Sequence, residues 1–379
     1  MKFGWSEEDV KFRKELHSFV ETEIGEAWDG AATRLGSDEN VAFSKHFAAR
    51  LAEKGWLTPH WPAEHGGRDA SAWQHIILGE EMWSIGEPRG PQYMNVNWIG
   101  PSIMTHGTEE QQHQHLPPIA RGEVIWCQGF SEPEAGSDLA SLRTRAVRDG
   151  DEYVVNGQKI WTSYASVADY CFLLVRTGPD DDRHAISVLL VPTDTPGFEI
   201  RKIGAVVGES AFHELFFTDM RVPVSCRLGP ENEGWKVVRE ALAFERVGAP
   251  RYARAAYLLD GVAEWADERG ILADPEVARR LGEARAQCEA ARMLVYRVID
   301  ERARGLPPTP NAYLARAAMV QAERAVGDLA MDLMGAEGLE HGSLADEQLR
   351  KSMVAGIAAG AYEIQLNLIA RLVLDLPKG

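Results

Sequence analysis

Closely spaced cysteines are missing from this chain. Its four, Cys127, Cys171, Cys226 and Cys288, lie far apart in 379 residues, so neither a disulfide framework nor a zinc site is indicated, and a reducing cytoplasm is the expected setting. Positive charge is scarce as well: 40 Lys and Arg against 57 Asp and Glu leave a formal net charge of -17. Nucleic acid and anionic membrane would be repelled over most of such a surface, and an anionic ligand would need a local basic pocket. No apolar run approaches the roughly 20 residues of a membrane-spanning helix. Residues 1–9 pass into a charged amphipathic segment without an apolar signal region. A metal-ligand pattern is also lacking. The closest histidine pair, His113 and His115, alternates along a polar, helical stretch and reads as solvated surface.

What is present is a change of period along the chain. At 45% hydrophobic, it can bury substantial cores in two or three domains. Over residues 6–125 apolar positions recur at helical spacing, first Val10, Phe12, Leu16 and Val20, then Phe43, Phe47 and Leu51. Turns interrupt them at 59–67 and at Gly100-Pro101, and Thr108 with Gln111 three residues on marks a capped helix start. From 126 to 228 the period shifts to two. Tyr170–Val175, Ile186–Val191 and His213–Phe217 read as short strands, and Asn156-Gly157 between apolar arms predicts a hairpin turn. Long Ala-, Leu- and Arg-rich helical segments return from 229 to 379, broken at Gly270, 305–310 and 335–342, which argues a bundle. The expected fold is α+β and multidomain: an N-terminal α-helical domain (1–125), a middle antiparallel, barrel-like β-domain (126–228) and a C-terminal helical bundle (229–379).

Three stretches could carry chemistry. In 127–139, Gly129 and Gly136 let a backbone approach a ligand, and N–H groups with the Ser131 and Ser137 hydroxyls can hold carbonyl or phosphate oxygens. The carboxylates of this loop favour a ligand with donors as well as acceptors; an ordered surface loop is the plain alternative. In the arm that follows, Trp161 offers a stacking face while Ser131, Thr162 and Ser163 can bond the edge of a planar heterocycle. That combination suggests a flavin, against simple core packing of the indole. On the first bundle helix, Trp235, Val238, Leu242, Glu245 and Ala249 share one apolar stripe, which turns Glu245 inward. Desolvation would raise its pKa toward that of a base useful near neutrality, the adjacent Arg246 would oppose the shift, and a buried Glu–Arg ion pair is the alternative.

Together, Phe130–Asp138, Asn156–Ser163, Phe212–Phe217 with Arg221-Val-Pro223, and Gly229–Trp235 resemble successive signatures of the acyl-CoA dehydrogenases. Residues 61–67, 106–111 and 360–365 fit the same family, so the resemblance spans nearly the whole chain. It implies a C-terminal four-helix bundle after the helical and β-domains, an FAD cofactor and an oligomer. The flavin-holding positions fall on Ser131, Trp161 and Ser163, with Gln128, Phe130, Gly136, Ser137 and Thr162 lining the same cleft. The implied reaction takes the α-proton of an acyl-CoA thioester to a glutamate while the β-hydrogen leaves as hydride to flavin, giving a 2,3-enoyl-CoA. An electron-transfer flavoprotein is the implied next acceptor. Many members carry the base just before the glycine of the C-terminal motif, where this chain has Ala359. A smaller group carries it on the first bundle helix immediately before an arginine, the pattern of Glu245-Arg246, so the resemblance makes Glu245 the base and Arg246 its support.

Departures from the family gather at positions that serve the adenine end of the cofactor. Residues 271–281 lack an Arg-x-x-Phe-Gly segment, Asp332 stands where glutamine is usual, and Ala361 and Leu366 replace a threonine and an arginine. They imply weaker FAD binding or a different subunit partner. Beside the homo-oligomeric dehydrogenase, two alternatives stay open: a flavin oxidase or monooxygenase on the same fold, and one subunit of a heterotetramer with a homologue, its own FAD site incomplete. The placement of Glu245 with Ala359 favours a branched or bulky acyl group.

Overall fold

The computed structural model describes residues 5–25, 28, 36–179, 182, 184–239, 249–358 and 360–377. Several of its helices start where a cap precedes the apolar period. Ser6 opens α1 (Glu7–Ile24), its hydroxyl accepting from the Asp9 N–H while the Asp9 carboxylate accepts from the Ser6 N–H. The buried face is Phe12, Leu16, Phe19 and Val20; Val10, expected on it, is exposed. The hydroxyls of Ser37 and Ser71 accept from the N–H groups of Asn40 and Gln74 and so cap α2 (Asp38–Glu53) and α3 (Ala72–Ser84). Next, α4 (Gln92–Met94) runs through a π-helical stretch, Asn95–Ile99, into α5 (Gly100–His106). The turn expected at Gly100-Pro101 is therefore absent. Gly100 is helical, and a Cβ there would lie 2.3 Å from the Trp61 ring, so this glycine serves helix packing rather than a turn. The Thr108–Gln111 capping box does open α6 (Glu109–Ala120), and Gln111 also donates to the carbonyls of Ser225 and Arg227.

The described residues form two compact units. One gathers α1 and α3 with α7 (Arg251–Glu268), α8 (Pro275–Ala303), α9 (Asn311–Met334), α10 (Leu344–Ala355) and α11 (Tyr362–Leu372). Its core includes Ile76, Leu258, Val262, Val295, Met319 and Val326. Within it the buried Glu80 accepts from the Tyr252 and Tyr296 hydroxyls at 2.6 and 2.7 Å and pairs with Arg13, so the carboxylate is well partnered. The other unit gathers α2, α4 to α6 and an eight-stranded sheet. Of the helices of residues 1–125, α1 and α3 fall in the first unit and α2 and α4 to α6 in the second.

The strands are β1 (Trp126–Gly129), β2 (Arg145–Asp149), β3 (Glu152–Ser163), β4 (Tyr170–Arg176), β5 (Ile186–Pro192), β6 (Phe198–Ala205), β7 (Gly208–Pro223) and β8 (Arg227–Leu228). They follow the order β6-β7-β3-β2-β4-β5-β8, with β1 beside β4. Pairing is mainly antiparallel; β1 and one residue pair of β2 run parallel to β4, so the sheet is mixed. Continuous apolar runs bury β4 and β5, whereas β6, at the edge, carries Glu199, Arg201 and Lys202.

The hairpin predicted at Asn156-Gly157 does not form, because β3 passes through both residues as one strand paired with β7. The turn falls at Gly150-Asp151 instead, joining Asp149 to its partner Glu152, with Gly150 at φ +64°. Asn156 bonds both the side chain and the N–H of Asp219, and the register shifts between Val155 and Gly157. At Gly157, φ is +150° and a Cβ would sit 2.7 Å from the Thr144 Cα. The dipeptide makes a bulge and a close approach of two strands, the other structural use of glycine in a sheet.

Candidate functional site

The loop after β1 and the end of β3 lie side by side. The Ile160 N–H donates to the Ser131 carbonyl at 2.9 Å, which brings the backbone of Ser131 next to that of Trp161. Gln128 and Phe130 approach the same region from β1, with the Phe130 ring 5.9 Å from Phe172. Gly136 and Ser137 are exposed on the loop beyond. A Cβ added at Gly136 would meet nothing within 4 Å, whereas one at Gly129 would meet Leu173 at 2.8 Å and the Cys171 sulfur at 3.1 Å. The two glycines expected to admit a ligand therefore differ: Gly129 is required by the sheet, and Gly136 leaves open space.

A second bulge sets the direction of the indole. Lys159 pairs with Leu215 and Thr162 with His213, so β3 spends one residue more than β7 between those pairs. Strict alternation from Tyr153 and Val155 would turn Trp161 inward with Lys159. The extra residue turns Thr162 inward instead, at 1% exposure, and leaves Trp161 56% exposed at φ +61°. Left-handed backbone is unusual for so large a residue and persists where the surroundings over-determine it. Phe212 meets the ring edge-on at 6.1 Å, and Ser163 follows, half-buried. An exposed flat ring beside hydroxyl-bearing backbone suits a planar heterocycle with a polar edge. Thr162 Oγ1 is buried without a hydrogen-bond partner among the described residues. On the same pair, the fully buried His213 uses Nδ1 to donate to the Thr162 carbonyl at 3.1 Å. Burial lowers the His213 pKa, which keeps the imidazole neutral.

Beneath the loop lies an ion pair that the sequence reading did not single out. Lys159 Nζ donates to Glu132 Oε1 at 2.8 Å and to the Phe130 carbonyl at 3.1 Å. The Glu132 carboxylate also accepts from the N–H groups of Arg143 at 2.6 Å and Thr144 at 2.8 Å. Burial alone would raise the Glu132 pKa, but Lys159 and these donors outweigh it and hold the carboxylate below its ordinary range. For Lys159 the balance runs the other way: burial lowers its pKa to about 8 against the attraction of Glu132, so the ammonium is still the main form at pH 7. Arg176 secures the far limb of the loop, donating to the carbonyls of Leu142 and Ala140.

Elsewhere the structure regroups residues that are distant in sequence. Cys127 and Cys171 are paired across β1 and β4, both buried and both free thiols. A hydrogen bond that the Cys127 S–H donates to Cys171, together with burial, pushes the Cys127 thiol well above its ordinary pKa. His115 is not solvated surface: it is buried against Trp126 and Tyr170, with ring centroids at 5.1 and 5.2 Å. Asp332 pairs with Arg280 at 2.6 Å. Glu245 and Arg246, together with Ala359, lie outside the described residues. Among the described residues no helix is long and apolar enough to cross a membrane.

Sequence profiles of three acyl-CoA dehydrogenase domains match the chain in succession: the N-terminal domain over residues 6–123, the middle domain over 127–220 and the C-terminal domain over 232–374. Acyl-CoA dehydrogenase IpdE1 of Mycobacterium tuberculosis is 37% identical over 350 residues, 90% of each chain. Two solved structures are similar along the full length of both chains: the Tcur3481-Tcur3483 steroid ACAD, with TM-score 0.91 and 32% identity over 100% of each, and the ChsE4-ChsE5 complex from Mycobacterium tuberculosis, with TM-score 0.86 and 31% identity over 100% of each. The chain belongs to the acyl-CoA dehydrogenase family, whose members are FAD-dependent oxidoreductases, and its activity is that of an acyl-CoA dehydrogenase.

Proposed function

We propose that this dehydrogenase holds FAD against Ser131, Trp161 and Ser163 and takes the α-proton of its substrate with Glu245. The observation supporting the flavin wall is Trp161, an exposed indole in left-handed backbone beside the Ser131 main chain. Ser131 and Ser163 supply hydroxyls for the polar edge of the heterocycle, with Gln128, Phe130, Gly136 and Ser137 as lining; the side chain of Thr162 is turned inward and leaves only its backbone to the wall. When bound, FAD would supply the hydride acceptor for the β-hydrogen of the acyl chain, and the product would be a 2,3-enoyl-CoA. The protein has to fix the thioester and hold a carboxylate at its α-carbon, a task of positioning more than of bond making. Glu245 is assigned that carboxylate from its position before Arg246, and Arg246 orders it; Ala359 occupies the other family position for a base. The flavin wall is tested by FAD titration of wild type and Trp161→Ala. The variant is expected to bind at least about tenfold more weakly, the lower range of what a stacked ring contributes, and unchanged affinity would refute the wall.

The substrate we assign is the CoA thioester of a bulky, ring-bearing acid. Support comes from the likeness to a structure described as a steroid ACAD and from the arrangement of Glu245 with Ala359. Electrons pass on to an electron-transfer flavoprotein in the cytoplasm, a compartment that suits four free thiols. We also assign a homologous second chain as the oligomer partner rather than a like copy. Both similar structures pair two differently named proteins, and Asp332 is engaged by Arg280 where the family usually offers a glutamine. Purified alone, the chain is expected to carry well under one FAD per protomer; full occupancy would favour a homo-oligomer.

A further inference from the structure

We propose that Lys159 and Glu132 are a positioning pair for the flavin wall, fixing the loop that carries Ser131 against the strand that carries Trp161 and thereby setting FAD affinity. This rests on the assignment of FAD to that wall. Lys159 is 0% exposed and Glu132 8% exposed. A buried ion pair is weak as a source of stability, because desolvation offsets much of the attraction, and its best-attested use is to fix one arrangement among several. The arrangement here is specific. One ammonium and one carboxylate gather the Phe130 carbonyl and the N–H groups of Arg143 and Thr144, which closes both limbs of the loop onto β3. The pair sits directly before the bulge. Two residues beyond Lys159 the backbone turns left-handed at Trp161, and on the other side His213 holds the Thr162 carbonyl. Strained backbone of this kind lasts only where neighbours hold it on both sides. The loop carbonyl of Ser131, bonded to the Ile160 N–H, lies between the two clamps.

The test titrates the flavin-free protein, in the assembly in which it purifies, with FAD and follows flavin fluorescence, the visible absorption band and the Tm of the flavin-free form. The variants are Lys159→Gln, Glu132→Gln, the charge-neutral double variant Lys159→Met with Glu132→Gln, and Lys159→Arg. The double variant is expected to keep a Tm close to wild type yet bind FAD about tenfold or more weakly, the size of loss seen when a supporting partner of a bound group is removed, with an altered visible band. Unchanged FAD affinity and spectrum in the double variant would overturn the proposal, whatever the Tm does. Should that variant not fold, Lys159→Arg decides: it keeps the charge but alters reach, and wild-type affinity and spectrum would overturn the proposal equally. Trp161→Ala is run alongside. If it too leaves FAD binding unchanged, the wall assignment has failed; if it weakens binding while the pair variants do not, only the positioning role has failed.

Discussion

Trp161 carries a cost in the protein without its cofactor. Left-handed backbone at a large aromatic residue is worth on the order of 1–3 kcal/mol of strain, and more than half of the ring gains nothing from burial. A ligand stacked on the indole would recover that energy, which is why strained residues collect at binding sites. Gly136 offers a complementary residue-scale test. Its φ is not in the left-handed region and a Cβ would meet no protein atom within 4 Å. Gly136→Ala should therefore leave the denaturation midpoint of the flavin-free protein unchanged, within about 0.5 kcal/mol, while weakening FAD binding by a measurable factor in a fluorescence titration. Loss of stability without loss of affinity would show that the loop glycine serves the fold alone. Gly129 cannot be used this way, since Leu173 and Cys171 already fill the space beside it.

At the scale of elements, α6 is joined to the sheet through a neutral histidine. Burial against Trp126 and Tyr170 lowers the His115 pKa from 6.5 to about 4. The unfolded chain takes up the proton below 6.5 and the folded chain does not until about 4. This contribution to stability is thus present above pH 6.5 and lost progressively as pH falls toward 4. Urea midpoints at pH 7 and pH 4.5 should fall less in His115→Phe than in wild type; equal falls would show that His115 does not titrate on unfolding. How these elements read from sequence depended on whether their determinants were local. The Thr108 cap, the apolar runs of β4 and β5 and the long bundle helices depend on neighbours in sequence, and they form where expected. Asn156-Gly157 carries the same local signal as a hairpin, but strand β7 captures it as a bulge. The outward turn of Trp161 depends on one extra residue counted against a distant strand, and β6 alternates between half-buried and exposed positions without one fully buried residue. For the same reason Lys159 and Glu132 were legible only as a polar residue on a strand and a loop carboxylate. Nothing local says that each is the other's partner.

For the whole molecule, the acidic surface and the anionic substrate stand in opposition. A chain with net charge -17 gives a CoA thioester no long-range attraction, so binding has to come from local groups, and affinity is expected to rise with salt concentration or stay level, not fall steeply. The central claim joins two halves of the reaction, a flavin wall built on Ser131 and Trp161 and a base at Glu245. Anaerobic mixing of the FAD-loaded protein with a panel of bulky acyl-CoA thioesters, wild type against Glu245→Gln, measures both in one spectrum. Wild type should lose its visible flavin absorption with a thioester of the panel, while Glu245→Gln, its flavin still bound, should bleach more slowly by about 10² to 10⁴, the range of general-base catalysis. A variant that bleaches at the wild-type rate would contradict the account.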